Sequence, residues 1–560
     1  MKITKKAFCF TLNYKVNKMS IEISGNIVDL LNQKIFPGTI KMENGKISDI
    51  FKKNQDFKNY IIPGFIDAHI HIESSMLTPS EFARIAVTHG TVAAVADPHE
   101  IANVLGINGV YYMIKNASKV PFKFYFGAPS CVPASPFETS GSAITTKDIE
   151  MLLSDDKIKF LAEMMNYPGV INNDSEVMKK IDIAKKYSKP IDGHAPGLSG
   201  YELKKYASTG ITTDHECSSI KEALEKINLG MKILIRDGSA ARNFEELKAL
   251  LENNWQSCML CSDDKHPDDL VKGHINLMVK DAIENKIDPI KVLIAASLNP
   301  IRHYNLDVGL LRVGDPADFL IIDGLDKLNI ISTFINGLEV AKASKSLINK
   351  TESEIINNFN IEKLKPSDFS LRNSKEKMNV IIAIDGQIFT QKTKEKPKVL
   401  DGCVVSDIEK DILKIVVVNR YNKAKPAIAF IKNFGLKDGA IASSVSHDSH
   451  NIIAVGVTDE YICKAVNLII KNKGGISVVG KNYESVLSLP IAGIMSDLSY
   501  DKVAKKYTDI NNMVNALGSK LKAPFMTLSF MALPVIPRLK ITDKGLFDSE
   551  NFKFINLFEE

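Results

Sequence analysis

The sequence predicts an α/β protein: a (β/α)8 barrel of the TIM type, with a discontinuous flanking β-sandwich and a C-terminal α+β domain. Three observations carry this. Over residues 63–304, eight strand-like runs alternate with amphipathic stretches, the number and length that a closed barrel of this type requires. Short alternating runs punctuated by turn residues lie on both sides of it, at 22–62 and 305–340, and read as two parts of one β unit. After a polar linker over 341–378, a second block of strands followed by a helix occupies 379–560.

Residues 1–21 contain the apolar stretch AFCFTL, but Asn13 and Lys15 interrupt it and no small-residue cleavage site follows. The segment reads as an N-terminal extension rather than a secretory leader. No run approaches the roughly 18 apolar residues that span a bilayer, so no membrane partner is expected. A net charge of +5 over 560 residues gives no reason to expect nucleic acid. Seven scattered cysteines do not form a disulfide framework, which points to a reducing, cytoplasmic setting.

In the first β part, Asn44-Gly45 between KIFPGTIKME and KISDI is a hairpin signal. The barrel strands are then IIPGFIDAHIH, TVAAVADP, KFYFGAPS, KIKFLAEMM, KPIDGHAP, ITTDHE, KILIRDG and SCMLCSDD. Thr145, Asp174 and Ser199 stand where helices between them should be capped, and Gly90, Gly210 and Gly230 where helices should stop. The C-terminal block shows the strands MNVIIAI, ILKIVVVNR and AIAFI and the helix YICKAVNLIIKN.

Barrels of this type place their chemistry at the C-terminal ends of the strands. The first strand ends in His69 and His71, which share a face because side chains alternate along a strand. The second ends in Asp97-Pro98-His99-Glu100, the fourth at Glu163, the fifth at His194, the sixth at His215 and the eighth at Asp263-Asp264. Glu163 is the most telling, because a carboxylate closing the apolar run FLAEMM is costly unless paired or metal-bound. These ligands exceed what one four-coordinate metal needs, and point to two metals sharing a carboxylate. Cys258 and Cys261 have CxxC spacing, but residues three apart in a strand face opposite ways, and GLKDGAIASS lacks phosphate-loop spacing.

PGFIDAHIHIESS ahead of a barrel, with VGDPADFLIID after it, resembles the amidohydrolase superfamily. HIESSMLTPSEFARIAVTHGT, ADPHEIANVLG, FLAEMMNYPGV, GHAPGLSG, TDHE, IRDGSAARN, IASSVSHDSHNIIAVG, SLPIAGIMSD and PFMTLSFMALPVIPRLKITDKGLFD narrow it to a resemblance to the bacterial adenine deaminases, from about residue 22 to the C-terminus. The resemblance implies a binuclear centre, with manganese ahead of iron or zinc, and hydrolysis of adenine to hypoxanthine and ammonia by hydroxide attack at C6. It assigns His69 and His71 to one metal with Asp263, and His194 and His215 to the other. Glu163 bridges the two, where many relatives carry a carboxylated lysine. It also favours a homo-oligomer, a dimer or larger.

Asp263 is expected to carry the proton from water to the leaving amine. Other deaminases of the superfamily have a glutamate three residues after the strand-five histidine; here that position is Gly197. Glu100 is the expected donor to the ring, with Glu216 in reserve. His99, Arg236, Ser239 and Ala240, on strand-end loops, are expected to contact substrate, together with His447 and His450 of SVSHDSHN, a loop placed to act as a lid. Three other readings stay open: a deaminase of another 6-substituted purine, a cyclic amidohydrolase of the dihydroorotase kind, and an inactive purine-binding relative.

Overall fold

The computed structural model describes residues 20–239, 241–372 and 375–559. Of the extension expected over 1–21, residues 1–19 lie outside the described residues, and the first strand begins at Ile21. Among the described residues no helix is long and apolar enough to cross a membrane.

Eight parallel strands form the barrel: β1 (Phe65–Ile70), β2 (Thr91–Ala96), β3 (Lys123–Ala128), β4 (Ile158–Met164), β5 (Ile191–Gly193), β6 (Thr213–Asp214), β7 (Lys232–Arg236) and β8 (Cys258–Cys261). β1 to β5 pair in sequence order, as do β6 to β8. Two seams close the ring. At one, the Asp263 N–H donates to the His69 carbonyl at 2.9 Å, joining the end of β8 to β1. At the other, the Thr212 N–H donates to the Ile191 carbonyl at 3.0 Å. A Cβ at Gly193 would stand 2.3 Å from the Thr213 carbonyl oxygen, so only glycine lets β5 approach β6 this closely.

A buried polar network locks the first seam from within. Asp67 Oδ2 accepts from His274 Nε2 at 2.8 Å and from the Ser262 hydroxyl, and Oδ1 accepts from the Ser262 N–H at 3.0 Å. His274 Nδ1 is 2.7 Å from the Thr91 hydroxyl. Asp67 and His274 are no more than 1% exposed, so losing either strands polar groups in the core. Asp67→Ala is expected to destabilise the fold by about 3–5 kcal/mol, read from urea unfolding midpoints; a change below about 1 kcal/mol would show that the network is dispensable.

The two flanking β parts join in one eight-stranded sheet, in which Tyr60–Pro63 pairs with Phe319–Ile322. The expected hairpin turn is present: Asn44 and Gly45 both have positive φ, 52° and 79°, the conformation of a tight two-residue turn. The sheet curls on itself there, because the Gly45 carbonyl accepts from the Ala317 N–H at 2.9 Å. Ile27, Ile40, Ile47, Phe319 and Phe334 fill the enclosed space.

The C-terminal residues build a nine-stranded sheet. The helix Asp459–Asn472 packs on it through Ile462, Ala465, Val466 and Ile469, spaced to share one face. Thr458 caps its start and Lys473, with φ 52°, ends it. The stretch expected as linker carries apolar anchors: Phe359, Ile361, Leu364 and Phe369 pack against this helix layer. One apolar core runs without a break from the barrel into the C-terminal sheet, including Phe65 and Leu161 on one side and Ile415, Ile441 and Leu528 on the other.

Candidate metal centre

The strand ends converge on one buried cluster. His69 is the penultimate residue of β1 and His71 follows the strand, and their rings meet edge-on, 4.8 Å between centroids. His71 Nδ1–H donates to the Asp97 carbonyl at 3.2 Å, which turns Nε2 inward. Glu163 comes from the penultimate position of β4, His194 directly follows β5, His215 follows β6, and Asp263 lies just beyond β8. All are nearly inaccessible except His194, whose side chain is 16% exposed.

Glu163 stands at the middle. Its Oε1 lies 3.2 Å from His71 Nε2, while Oε2 lies 2.7 Å from His194 Nδ1 and 3.2 Å from His215 Nε2. The carboxylate thus offers one oxygen to each half of the cluster. Burial opposes its charge, but His215, His194 and His71 outweigh burial and hold it well below the usual carboxylate range. Asp263 Oδ1 lies 3.2 Å from His71 Nε2 and 3.6 Å from His69 Nε2. Burial opposes this charge too, and the Arg236 guanidinium, 2.5 Å away, does most to keep Asp263 ionised.

The donor set fits divalent cations. Ligand atoms of His69, His71 and Asp263 lie within 4.8 Å of one another, as do those of His69, Glu163 and His215. His69 Nε2 is buried and has no hydrogen-bond partner, and burial, then His215, push its pKa down, favouring the neutral form that binds metal. Imidazole nitrogens with carboxylate oxygens suit zinc, iron and manganese alike.

Of the expected substrate contacts, His99 joins the cluster, its Nδ1 3.2 Å from Asp97 Oδ2 and 3.5 Å from Glu163 Oε1. Arg236 lines the cavity, but its head is taken up by carboxylates: Nη1 reaches Glu216 Oε1 and Asp263 Oδ2, each at 2.5 Å, and Nη2 reaches Glu216 Oε2 at 2.9 Å. It orients those two acids. Ser239 is not brought to the centre. Its hydroxyl donates to Asp269 at 2.8 Å and accepts from the His266 N–H. Ala240 lies outside the described residues.

The SVSHDSHN loop does reach the barrel. Glu100 Oε1 pairs with His447 Nδ1 and Oε2 with His450 Nε2. Burial opposes the Glu100 charge, but these two histidines hold its carboxyl well below the ordinary range. Glu100, the acid expected to protonate the ring, is thus engaged through both oxygens by the C-terminal loop. Glu216, the reserve, is also held well below its ordinary value: burial opposes the charge, and Arg236 and His194 outweigh it. His450 is engaged on both ring nitrogens. Its Nδ1 accepts from the Ser446 N–H at 3.3 Å and its Nε2 is engaged by Glu100, so neither ring nitrogen is free for substrate.

The cavity over the cluster is about 50 Å³, lined by the metal-type residues and by His447, Asp448, Phe530, Leu533, Ile388 and Ile536. It adjoins a cleft of about 580 Å³, with Glu216, Arg236, Ala241, Ile388 and Ile536 common to both. Asp448 is buried, and burial above all pushes its carboxyl up to about 6.

Comparison with known proteins agrees along nearly the whole chain. The amidohydrolase family matches residues 60–340, and the adenine deaminase C-terminal domain matches 387–553. Adenine deaminase from Salinibacter ruber is 50% identical over 541 residues, 96% of this chain and 99% of that protein. The Sulfurovum sp. adenine deaminase is 53% identical over 537 residues, with the same coverage. That from Methanosarcina mazei is 50% identical over 551 residues, again 96% and 99%.

The chain belongs to the adenine deaminase family.

Membership of the adenine deaminase family accounts for both the barrel and the C-terminal domain, and the amidohydrolase barrel implies use of divalent metal. Phe530, Leu533 and Ile536 form an apolar wall of the cavity that the sequence did not suggest, whereas Asp448 belongs to the loop expected as a lid. The apolar wall gave no signal, because FMALPVI reads like any buried run.

A buried lysine holds that wall. Lys540 Nζ donates to the carbonyls of Ile388 at 2.7 Å and Phe530 at 2.9 Å. Burial lowers its pKa from the ordinary 10.5 to about 7. Between these values the unfolded chain binds a proton that the folded chain does not. Stability contributed here is therefore complete above the unfolded value and declines as pH falls towards 7. Wild-type stability should rise with pH across this window by up to about 1.4 kcal/mol per unit more than that of Lys540→Met; parallel unfolding curves for the two would refute it.

Proposed function

We propose that the chain hydrolyses adenine to hypoxanthine and ammonia at this cluster, with two divalent cations, manganese first among them. The carrying observation is Glu163, whose two oxygens face different histidines beside an ionised Asp263. His69, His71 and Asp263 would hold one cation, His194 and His215 the other, and Glu163 both. When bound, such cations bring the pKa of water towards neutrality and so supply the nucleophile.

The chain's own groups do the rest. Asp263, kept ionised by Arg236, takes a proton from the attacking water and gives it to the exocyclic amine as C6–N6 breaks. Arg236 fixes the rotamer of Asp263. Phe530, Leu533 and Ile536 offer a flat base an apolar face. The cavity is close to the volume of a water molecule or two, so adenine arrives through the adjoining cleft with movement of the Ile388 and Ile536 walls. Cytoplasmic residence and a homo-oligomer belong to this reading, supported by the six free cysteines among the described residues and by the family.

The test is ammonia release from adenine by protein loaded with Mn²⁺, compared with chelator-treated protein. Activity that disappears on metal removal and returns with two equivalents supports the reading. Metal-loaded protein that releases no ammonia from adenine rejects it.

A further inference from the structure

We propose that the proton for the purine ring comes from His447 of the C-terminal domain, acting through Nε2 while Glu100 holds Nδ1. The inference rests on the adenine reading above. Four observations place His447 in this role. Its Nδ1 pairs with Glu100 Oε1, which makes Nδ1 the donor to a carboxylate and leaves Nε2 as the outward nitrogen. Its Nε2 is buried and has no hydrogen-bond partner. The ring lies in the wall of the cavity that also contains His71, Glu163 and Asp263. The ring is immobilised: it stacks on Phe530, 4.7 Å between centroids and 18° between planes, and its backbone N–H donates to the Ser529 hydroxyl at 3.1 Å.

This is the carboxylate–imidazole arrangement in which the carboxylate orients the ring and stabilises its cation while the far nitrogen exchanges protons with substrate. Its neighbour His450 lacks the free nitrogen and serves to anchor Glu100. The charged groups acting on His447 come from several elements: Glu100 after β2, Asp264 after β8, His266 beyond it, and Asp448 and His450 on its own loop. Burial opposes the imidazolium, and Glu100 outweighs burial, raising the pKa to about 9.

The steps balance. As water's oxygen bonds to C6, the C6–N1 π pair moves to N1, which takes the proton from His447 Nε2. Asp263 carries a proton from that oxygen to N6, the C6–N6 bond breaks, and ammonia leaves with hypoxanthine. The proton released when the next water is activated restores the imidazolium.

His447→Gln keeps a side chain able to hydrogen-bond but unable to donate a proton at neutral pH. In metal-loaded full-length protein its kcat should fall about 10²–10⁴-fold, with KM for adenine changed far less and with the same metal content and melting temperature. The alkaline limb of kcat/KM expected of the wild type should vanish. A second variant, Glu100→Gln, should move that limb to lower pH, since His447 loses its counter-charge, and this measurement decides the matter if His447→Gln does not fold. Activity of His447→Gln within about threefold of wild type, a loss confined to KM, or a limb unmoved by Glu100→Gln overturns the proposal. Failure of the wild type itself to release ammonia removes the adenine reading and this inference together, whereas an active wild type with an unaffected His447→Gln removes only the inference.

Discussion

Glu163→Gln is expected to lose divalent metal and, with it, turnover. Glutamine has the size of glutamate but only one acceptor oxygen, and its amide N–H₂ repels a cation. In the wild type one oxygen faces His71 and the other faces His194 and His215. The substitution therefore removes the shared anion from both halves of the cluster at once. Groups that merely support a ligand cost about 10–100-fold in metal affinity when changed, and a ligand common to two ions should cost more. Metal analysis after dialysis should find about one equivalent or fewer, and ammonia release should fall in proportion. A variant that retains two equivalents would show that Glu163 does not bridge.

Asp263→Asn is expected to have the opposite signature, with metal retained and turnover lost. Asparagine preserves one oxygen towards His69 and His71, so the imidazoles keep their places. It cannot shuttle a proton. Loss of such a group slows a reaction by about 10²–10⁴-fold. Arg236 keeps Glu216 as a partner, which limits the disturbance. Near wild-type kcat in metal-loaded Asp263→Asn would remove Asp263 from the proton path, whatever its place in the cluster. The two variants together separate holding metal from moving protons.

The barrel was legible in the sequence because its evidence is periodic and local. Each strand closes in a turn, and the C-terminal end of a parallel strand is where a polar side chain can be exposed to a site. His69, His71, Glu163, His194, His215 and Asp263 could be found that way, and the structure brings all six together. Roles that depend on who neighbours whom were not legible. Glu100 looked like a free acid because nothing in ADPHE reveals that two histidines almost 350 residues later close on it. Ser239 looked available because its partner Asp269 comes from the short helix after β8. The two carboxylates that hold Arg236 were equally hidden, because they come from different strands. The asymmetry between His447 and His450 is likewise three-dimensional, since only contacts distinguish a ring with both nitrogens engaged from one with a nitrogen to spare.

The pairing of Glu100 with His447 and His450 joins the first third of the polypeptide to its last quarter inside a shared apolar interior. The two modules therefore cannot be exchanged independently between relatives. A chimera that takes its barrel from one parent and its C-terminal portion from another should work only when acid and imidazoles are inherited as a matched set, along with the apolar residues that seat them.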